Sequence, residues 1–187
     1  MQIESMDRDN FDEATARAIA ELLCSVWPKV GRTPETRIEK MKADWAAYHG
    51  PDEQRPRSIF LRENDRVIAH SGVDVRTIGT SSGDLTVLAL ARVCTDPAVR
   101  GKNLGAAVVR ATFQLVDDGA FEWSLYQTNH KVRPFYEKIG ACAIDNRIVN
   151  SLGDDPSKNP FWDEVIMRYS NKPGWPEGDI DLRGPGY

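Results

Sequence analysis

The sequence predicts a mixed α/β layer with strands that run partly antiparallel. Two observations carry this. Strand-like and helical apolar patterns alternate in the order β-α-α-β-β-β-α-β-α-β-β. The three consecutive strand patterns in the middle are joined by turn clusters, Asn64-Asp65 and Gly79–Asp84, which makes an antiparallel meander. The length of 187 residues allows one domain, 1–187, with a substantial core and is too short for two ordinary ones.

Taken in order, Gln2–Met6 is a short first strand. Phe11–Val26 carries Ala14, Ala18, Ile19, Leu22, Leu23 and Val26 at helical spacing and stops before Pro28. Thr33 is an N-cap, with Pro34 at the first helical position and Glu35 in the first turn, and this helix runs to about His49 before Gly50-Pro51. Ser58–Arg62, Arg66–Ile78 and Leu85–Thr95 are the meander strands. Gly105–Asp118 is helical, with Ala106, Val109, Phe113 and Val116 on one face and Gly119 as C-cap. Phe121–Thr128 is a strand and His130–Ile139 a short helix ended by Gly140. Pro134 cannot donate a helical hydrogen bond, so that helix begins late or is distorted near Arg133. Ala143–Asn150 and Glu164–Tyr169 are late strands joined by the polar loop Ser151–Asp163. The Gly- and Pro-rich tail Lys172–Tyr187 is expected to dock, because Trp175, Ile180, Leu182 and Tyr187 are too apolar for a solvated terminus.

Composition narrows the function classes. Hydrophobic residues make up 41% and charged residues 28%, so disorder along the whole chain is excluded. The net charge of −4 argues against non-specific nucleic-acid binding. The cysteines Cys24, Cys94 and Cys142 are three in number, widely spaced and in no CxxC pair, which suggests reduced thiols and no metal site. No apolar run is long enough to span a membrane, and Met1–Asn10 lacks the apolar centre of a signal peptide. A cytoplasmic protein without membrane or nucleic-acid partners is expected; a homodimer stays open.

The most informative stretch is Val93–Ala106. A strand runs out at Pro97, and Arg100, Gly101, Lys102 and Gly105 follow just where a helix begins. A helix N-terminus offers free N–H groups and the positive end of a dipole. Glycines let the backbone approach a phosphate, and Arg and Lys add charge. That is the chemistry a pyrophosphate needs.

Two motifs in this order resemble the GNAT superfamily of N-acetyltransferases. One is the loop Arg100-Gly101-Lys102-Asn103-Leu104-Gly105, which departs from the family pattern at Asn103, where glycine is usual. Asn tolerates left-handed backbone, so the turn can survive. The other is Asn129, Val132, Phe135-Tyr136 and Gly140 after the next strand. The resemblance implies a GNAT-type fold, with a mostly antiparallel central sheet and helices on both faces. It implies an acetyl-CoA-dependent transfer to a small amine by direct attack, with acetyl-CoA as co-substrate and no metal. Ile68–Arg76 and Trp175-Pro176-Glu177-Gly178-Asp179-Ile180 look like segments of aminoglycoside 2'-N-acetyltransferases, and the former also like nodulation N-acyltransferases.

The resemblance assigns roles. Val93, Cys94 and Thr95 would pair with the pantetheine arm through their backbone. Arg100, Gly101, Lys102, Asn103, Leu104, Gly105 and Ala106 would hold the pyrophosphate, and Asn129 would hydrogen-bond the arm or act as a plain helix cap. Tyr136 would protonate the departing thiolate. Trp175 and Asp179 would contact a cationic acceptor. Arg92 would either reach the acceptor or form a structural ion pair.

The base is the gap. Ala91 stands where the aminoglycoside enzymes carry Glu, so His70 is the substitute, against the alternative of a packed core histidine, with Asp74 and Asp84 behind it. Transfer of a longer acyl chain and a non-catalytic CoA-binding module are the competing expectations.

Overall fold

The computed structural model describes residues 2–170 and 172–187. The chain forms two compact units: Met1–Asp74 with Leu90–Thr112, and Val75–Ala89 with Phe113–Tyr187. The strands are β1 (Ile3–Met6), β2 (Arg57–Glu63), β3 (Arg66–Thr80), β4 (Gly83–Thr95), β5 (Ser124–Thr128), β6 (Cys142–Ala143), β7 (Ile148–Val149), β8 (Val165–Tyr169) and β9 (Ile180–Asp181). The helices are α1 (Glu13–Val26), α2 (Pro34–Ala46), α3 (Leu104–Asp117) and α4 (Arg133–Glu137). Both β3 and β4 run through the two units, as does α3.

In the first unit β1 pairs antiparallel with β2, and β2 with β3 across the turn at Asn64, whose φ is 54°. α1 starts because the Asp12 carboxylate accepts from the Thr15 N–H at 2.7 Å. α2 starts with a reciprocal cap, Thr33 and Thr36 each accepting from the other's N–H, with Pro34 in the first turn as expected. Ile19, Leu23, Ile38 and Trp45 from these helices pack with Phe60, Val67 and Cys94 of the sheet. Phe60 is the register partner of His70. The next residue, Ser71, points to the other face, where its hydroxyl meets that of Thr112 on α3 at 2.8 Å. Helices thus cover both faces of this unit's sheet.

In the second unit β4 pairs parallel with β5 at Leu88–Ser124 and Ala89–Leu125. β5 pairs antiparallel with β8, and β8 with β6. Alternation along β5 sends Tyr126 toward Phe113 of α3, at 6.1 Å between ring centroids. Trp123 and Leu125 go to the opposite face, where Ile148, Phe161, Ile180 and Leu182 fill the core with them.

The tail packs within this unit. β9 pairs with β7 in parallel and with β3 at Gly79. Ile180 and Leu182 are fully buried, and the Tyr187 hydroxyl donates to Leu125 O at 2.7 Å. One expectation needs correction. The strand Ala143–Asn150 is instead two short ones, β6 and β7, because Asn146 between them turns to the tail. Its amide donates to Pro176 O and Gly178 O, and its oxygen accepts from the Trp175 indole at 2.8 Å. The helix of the Asn129–Gly140 motif begins late, at Arg133, as Pro134 leads one to expect: the Asn129 side chain accepts from Val132 N–H in a preceding turn, and Pro134 sits in the first helical turn.

Leu182→Ala is expected to lower the unfolding free energy by about 2–5 kcal/mol in urea denaturation. A change below about 0.5 kcal/mol, the scale of surface substitutions, would show that the tail does not complete the second core.

Candidate active site

The loop before α3 has the geometry of an anion cradle. Gly101 has φ 85° and Asn103 φ 58°, so the irregular residue of the motif does adopt the left-handed backbone. Space around Gly101 is open, and only its backbone angle requires glycine. The first helical hydrogen bond runs from Ala107 N–H to Asn103 O at 3.1 Å. Among the described residues, the N–H groups of Gly101–Ala106 donate to no protein group. Arg100 and Lys102 are exposed and form no ion pair there. The nearby acid is already engaged: Asp96 caps Ala98 N–H and pairs with Arg66 at 2.6 Å. The loop therefore presents open donors and uncompensated positive charge. Its residues fit a pyrophosphate.

Upstream, β4 is irregular. Arg92 has φ 53°, a left-handed residue inside a strand. Its guanidinium grips Asp74 with two hydrogen bonds, 2.8 and 2.6 Å. A Cβ on Gly72 would lie 2.7 Å from that guanidinium, so glycine makes room for the pair. Burial raises the Asp74 carboxyl, but the Arg92 charge outweighs it and holds the group below its ordinary value. Of the two roles expected for Arg92, the structure shows the ion pair.

His70 corrects an expectation. It is wholly buried, and both ring nitrogens are engaged. The Arg92 carbonyl can only accept, so Nδ1–H donates to it at 2.9 Å, and the Ser58 hydroxyl then donates to Nε2 at 3.0 Å. Burial pushes the imidazole down to about 4, against the stabilising bond to Arg92 O. A general base needs an open nitrogen, and His70 has none. The other base options are also engaged, Asp74 by Arg92 and Asp84 by Arg183 at 2.7 Å. Cys94 is buried and its thiol is pushed up to about 12 by that burial, so it is no nucleophile at neutral pH.

In the second unit Asn129 is exposed, and its side-chain oxygen caps Val132 N–H at 3.0 Å. The cap reading holds, while the amide N–H groups donate to no described protein group. Tyr136 is 6% exposed on α4, packed against Tyr126 at 4.8 Å between centroids and Phe135 at 4.9 Å. Burial, with Asp163 nearby, pushes its phenol well above the ordinary value, so it is protonated and able to donate. Tyr126 and Ser58 belong to these arrangements without any motif to mark them.

Trp175 and Asp179 come together in an open depression of about 390 Å³ that Asp145, Arg147 and Glu177 also line. Trp175 stands edge-on to Trp123 at 5.2 Å, and Asp179 lies 3.6 Å from Arg147. Among the described residues, no group of three or more His, Cys, Asp or Glu side chains is placed to hold a metal, and no helix is long and apolar enough to cross a membrane.

These features belong to a known class. The sequence matches the acetyltransferase (GNAT) family over residues 16–141, about two thirds of its length, and the chain belongs to that family. Its fold is similar to Escherichia coli ElaA, at 15% identity and TM-score 0.59 over 89% of this chain and 97% of that one. A GNAT-family acetyltransferase from Staphylococcus aureus aligns at 13% identity and TM-score 0.60, over 91% and 100%. An acyl-CoA N-acyltransferase from Pseudomonas aeruginosa aligns at 12% identity and TM-score 0.59, over 90% and 99%. No curated protein matches the sequence significantly.

The histidine generates a pH prediction. Folded His70 stays neutral down to about 4, while an unfolded histidine protonates near 6.5. Between those values the unfolded chain binds the extra proton, so stability falls as pH falls. His70 thus contributes a loss of about 3 kcal/mol at pH 4, absent above about pH 6.5. His70→Gln is expected to flatten that part of the Tm–pH curve; an unchanged slope would contradict the assignment.

Proposed function

We propose that the chain is an N-acetyltransferase that moves the acetyl group of acetyl-CoA to a primary amine of a small molecule by direct attack. The observation that carries this is the run of unengaged N–H groups from Gly101 to Ala106, flanked by unpaired Arg100 and Lys102, in a chain of the GNAT family. The thioester supplies an activated acyl group. The residues do the rest. Gly101–Ala106 N–H groups hold the pyrophosphate with Arg100 and Lys102. The backbones of Val93 and Thr95 with Cys94 between them, and the Asn129 amide, hold the pantetheine arm. Tyr136 gives its proton to the leaving sulfur. Because Cys94 stays a thiol, the amine itself is the nucleophile. With His70, Asp74 and Asp84 all engaged, the amine loses its proton to solvent. Trp175 and Asp179 form an acidic, aromatic-walled depression suited to a cationic acceptor such as an amino sugar. The site of action proposed is the cytoplasm.

Free-thiol release from acetyl-CoA over an amine panel tests this. Tyr136→Phe is expected to lower kcat by roughly 10²-fold with the donor KM little changed. An unimpaired variant would refute the acid role. Release that never exceeds background hydrolysis, together with a CoA-induced rise in Tm, would instead mark a non-catalytic CoA-binding module, the reading favoured by the closed His70. Preference for long-chain donors in competition would replace acetyl by a longer acyl group.

Two further outcomes follow from the site. Gly101→Val is expected to raise the donor KM roughly tenfold or more through backbone strain at φ 85°, with no loss of packing. The pH–rate midpoint is expected to track the pKa of the acceptor amine; a midpoint fixed across acceptors would reveal a side-chain base.

A further inference from the structure

Arg37, on α2, is a half-buried cation without an acid. Among the described residues its guanidinium makes one hydrogen bond, from Nη2 to Leu23 O at a long 3.4 Å. That carbonyl already accepts from Trp27 N–H at 3.0 Å, so the end of α1 does not depend on Arg37. Nε is buried without a partner, and Nη1, also without one, stays within reach of solvent. Other half-buried arginines are satisfied differently. Arg62 and Arg92 have carboxylates, Arg57 and Arg76 have carbonyls, and Arg168 has the faces of Trp123 and Trp175. A partly desolvated charge with unpaired donors is costly, so this guanidinium lacks an anion.

The place of the charge bears on which anion that is. Ile38, the next residue, packs in one core with Cys94 of β4. Burial is the main influence on the Cys94 thiol; Arg37 comes next, ahead of Arg100, and its charge also reaches His70. Arg37, Lys40 and Asp44 form one stripe along α2. Lys40 pairs with Asp44 at 2.8 Å and Arg92 with Asp74 at 2.6 Å, so those charges are matched. Arg37 is left as surplus positive charge near Cys94, in the strand segment that would carry the pantetheine arm under the proposed function. The donor's pyrophosphate would already have Arg100, Lys102 and the open N–H groups of the loop.

We propose that Arg37 binds a carboxylate or phosphate of the acceptor, which therefore carries an anionic group beside its amine, as amino acids and amino-sugar phosphates do. The inference deepens the proposed acyl transfer and rests on it for the ligand's being the acceptor.

The test saturates the whole protein with CoA, which fills the loop, and titrates inorganic phosphate or acetate at constant ionic strength while following Tm. A saturable rise is expected with at least one of the two. It is expected to be lost in Arg37→Gln, weakened in Arg37→Lys, which keeps the charge without the fork, and kept in Lys40→Gln. The anion with the larger rise separates phosphate from carboxylate. In turnover, glucosamine 6-phosphate is compared with glucosamine, and β-alanine with β-alaninamide. The wild type is expected to favour the anionic member of one pair roughly tenfold in kcat/KM. Arg37→Gln is expected to abolish that preference through the acceptor KM, with the donor KM unchanged. No rise with either anion, or an equal rise in wild type and Arg37→Gln, overturns the proposal. So does a wild type indifferent to the anionic group, or a preference that survives the substitution. A raised donor KM instead would assign Arg37 to the donor's phosphates and equally overturn it. The titration needs no turnover. Absence of acyl transfer would therefore sink the enzyme reading, while the Arg37 dependence of the Tm rise still decided the anion site.

Discussion

Much of the first unit depends on the left-handed turn of β4 at Arg92. Arg92, with φ 53°, takes left-handed backbone within β4, three residues before the strand ends at Thr95. The turn aims the Arg92 carbonyl at His70 and its guanidinium at Asp74. Three polar groups that would be expensive to bury alone are thereby satisfied together. Gly72 is required beside them because a side chain there would collide with the guanidinium. His70 and Asp74, two of the residues that looked available for acid–base work, are consumed at this turn, and Asp84 is taken by Arg183 in the second unit.

The division of labour that results is asymmetric. The start of α3 is left deliberately bare of internal partners: its N–H groups are open, and Asp96, the acid that could neutralise the loop, is taken by Arg66. Under the proposed reading, donor recognition is built from backbone and exposed cations. Under the proposed reading, with His70, Asp74 and Asp84 engaged, the burden of the reaction falls on positioning, on a proton donor at Tyr136 and on an amine that loses its proton to solvent.

In the second unit one face of β5 carries the phenols and the other carries the tail. Gln127, at the exit of that strand, binds the Tyr187 carbonyl and the N–H groups of Trp162 and Asp163. The same short strand thus supports the aromatic cluster around Tyr136 and fastens the C-terminus. Trp175 is held between Trp123 and Asn146, so its indole N–H serves structure and only the rest of the ring is open to the depression beside Asp179.

The residues that were legible in the sequence are those whose role is local. Caps at Thr33 with Pro34, the turn at Asn64, the strand-to-helix loop with Gly101 and Asn103, and the Asn129–Tyr136 motif all act within a few residues of themselves, and their backbone needs show in residue type. That was enough to determine the element order as far as α4 and the family. What His70, Arg92 and Asn146 do depends on partners 12 to 32 residues away, so spacing could not decide it. The strand expected at Ala143–Asn150 is two short strands in the structure, and the Asn146 side chain between them bonds the tail, a partner that lies 29 to 32 residues away and that spacing does not show. Tyr126 had no motif at all. Whether a buried hydroxyl finds a partner is set by packing in three dimensions, and only the tertiary structure decided which titratable groups stayed open and which were closed.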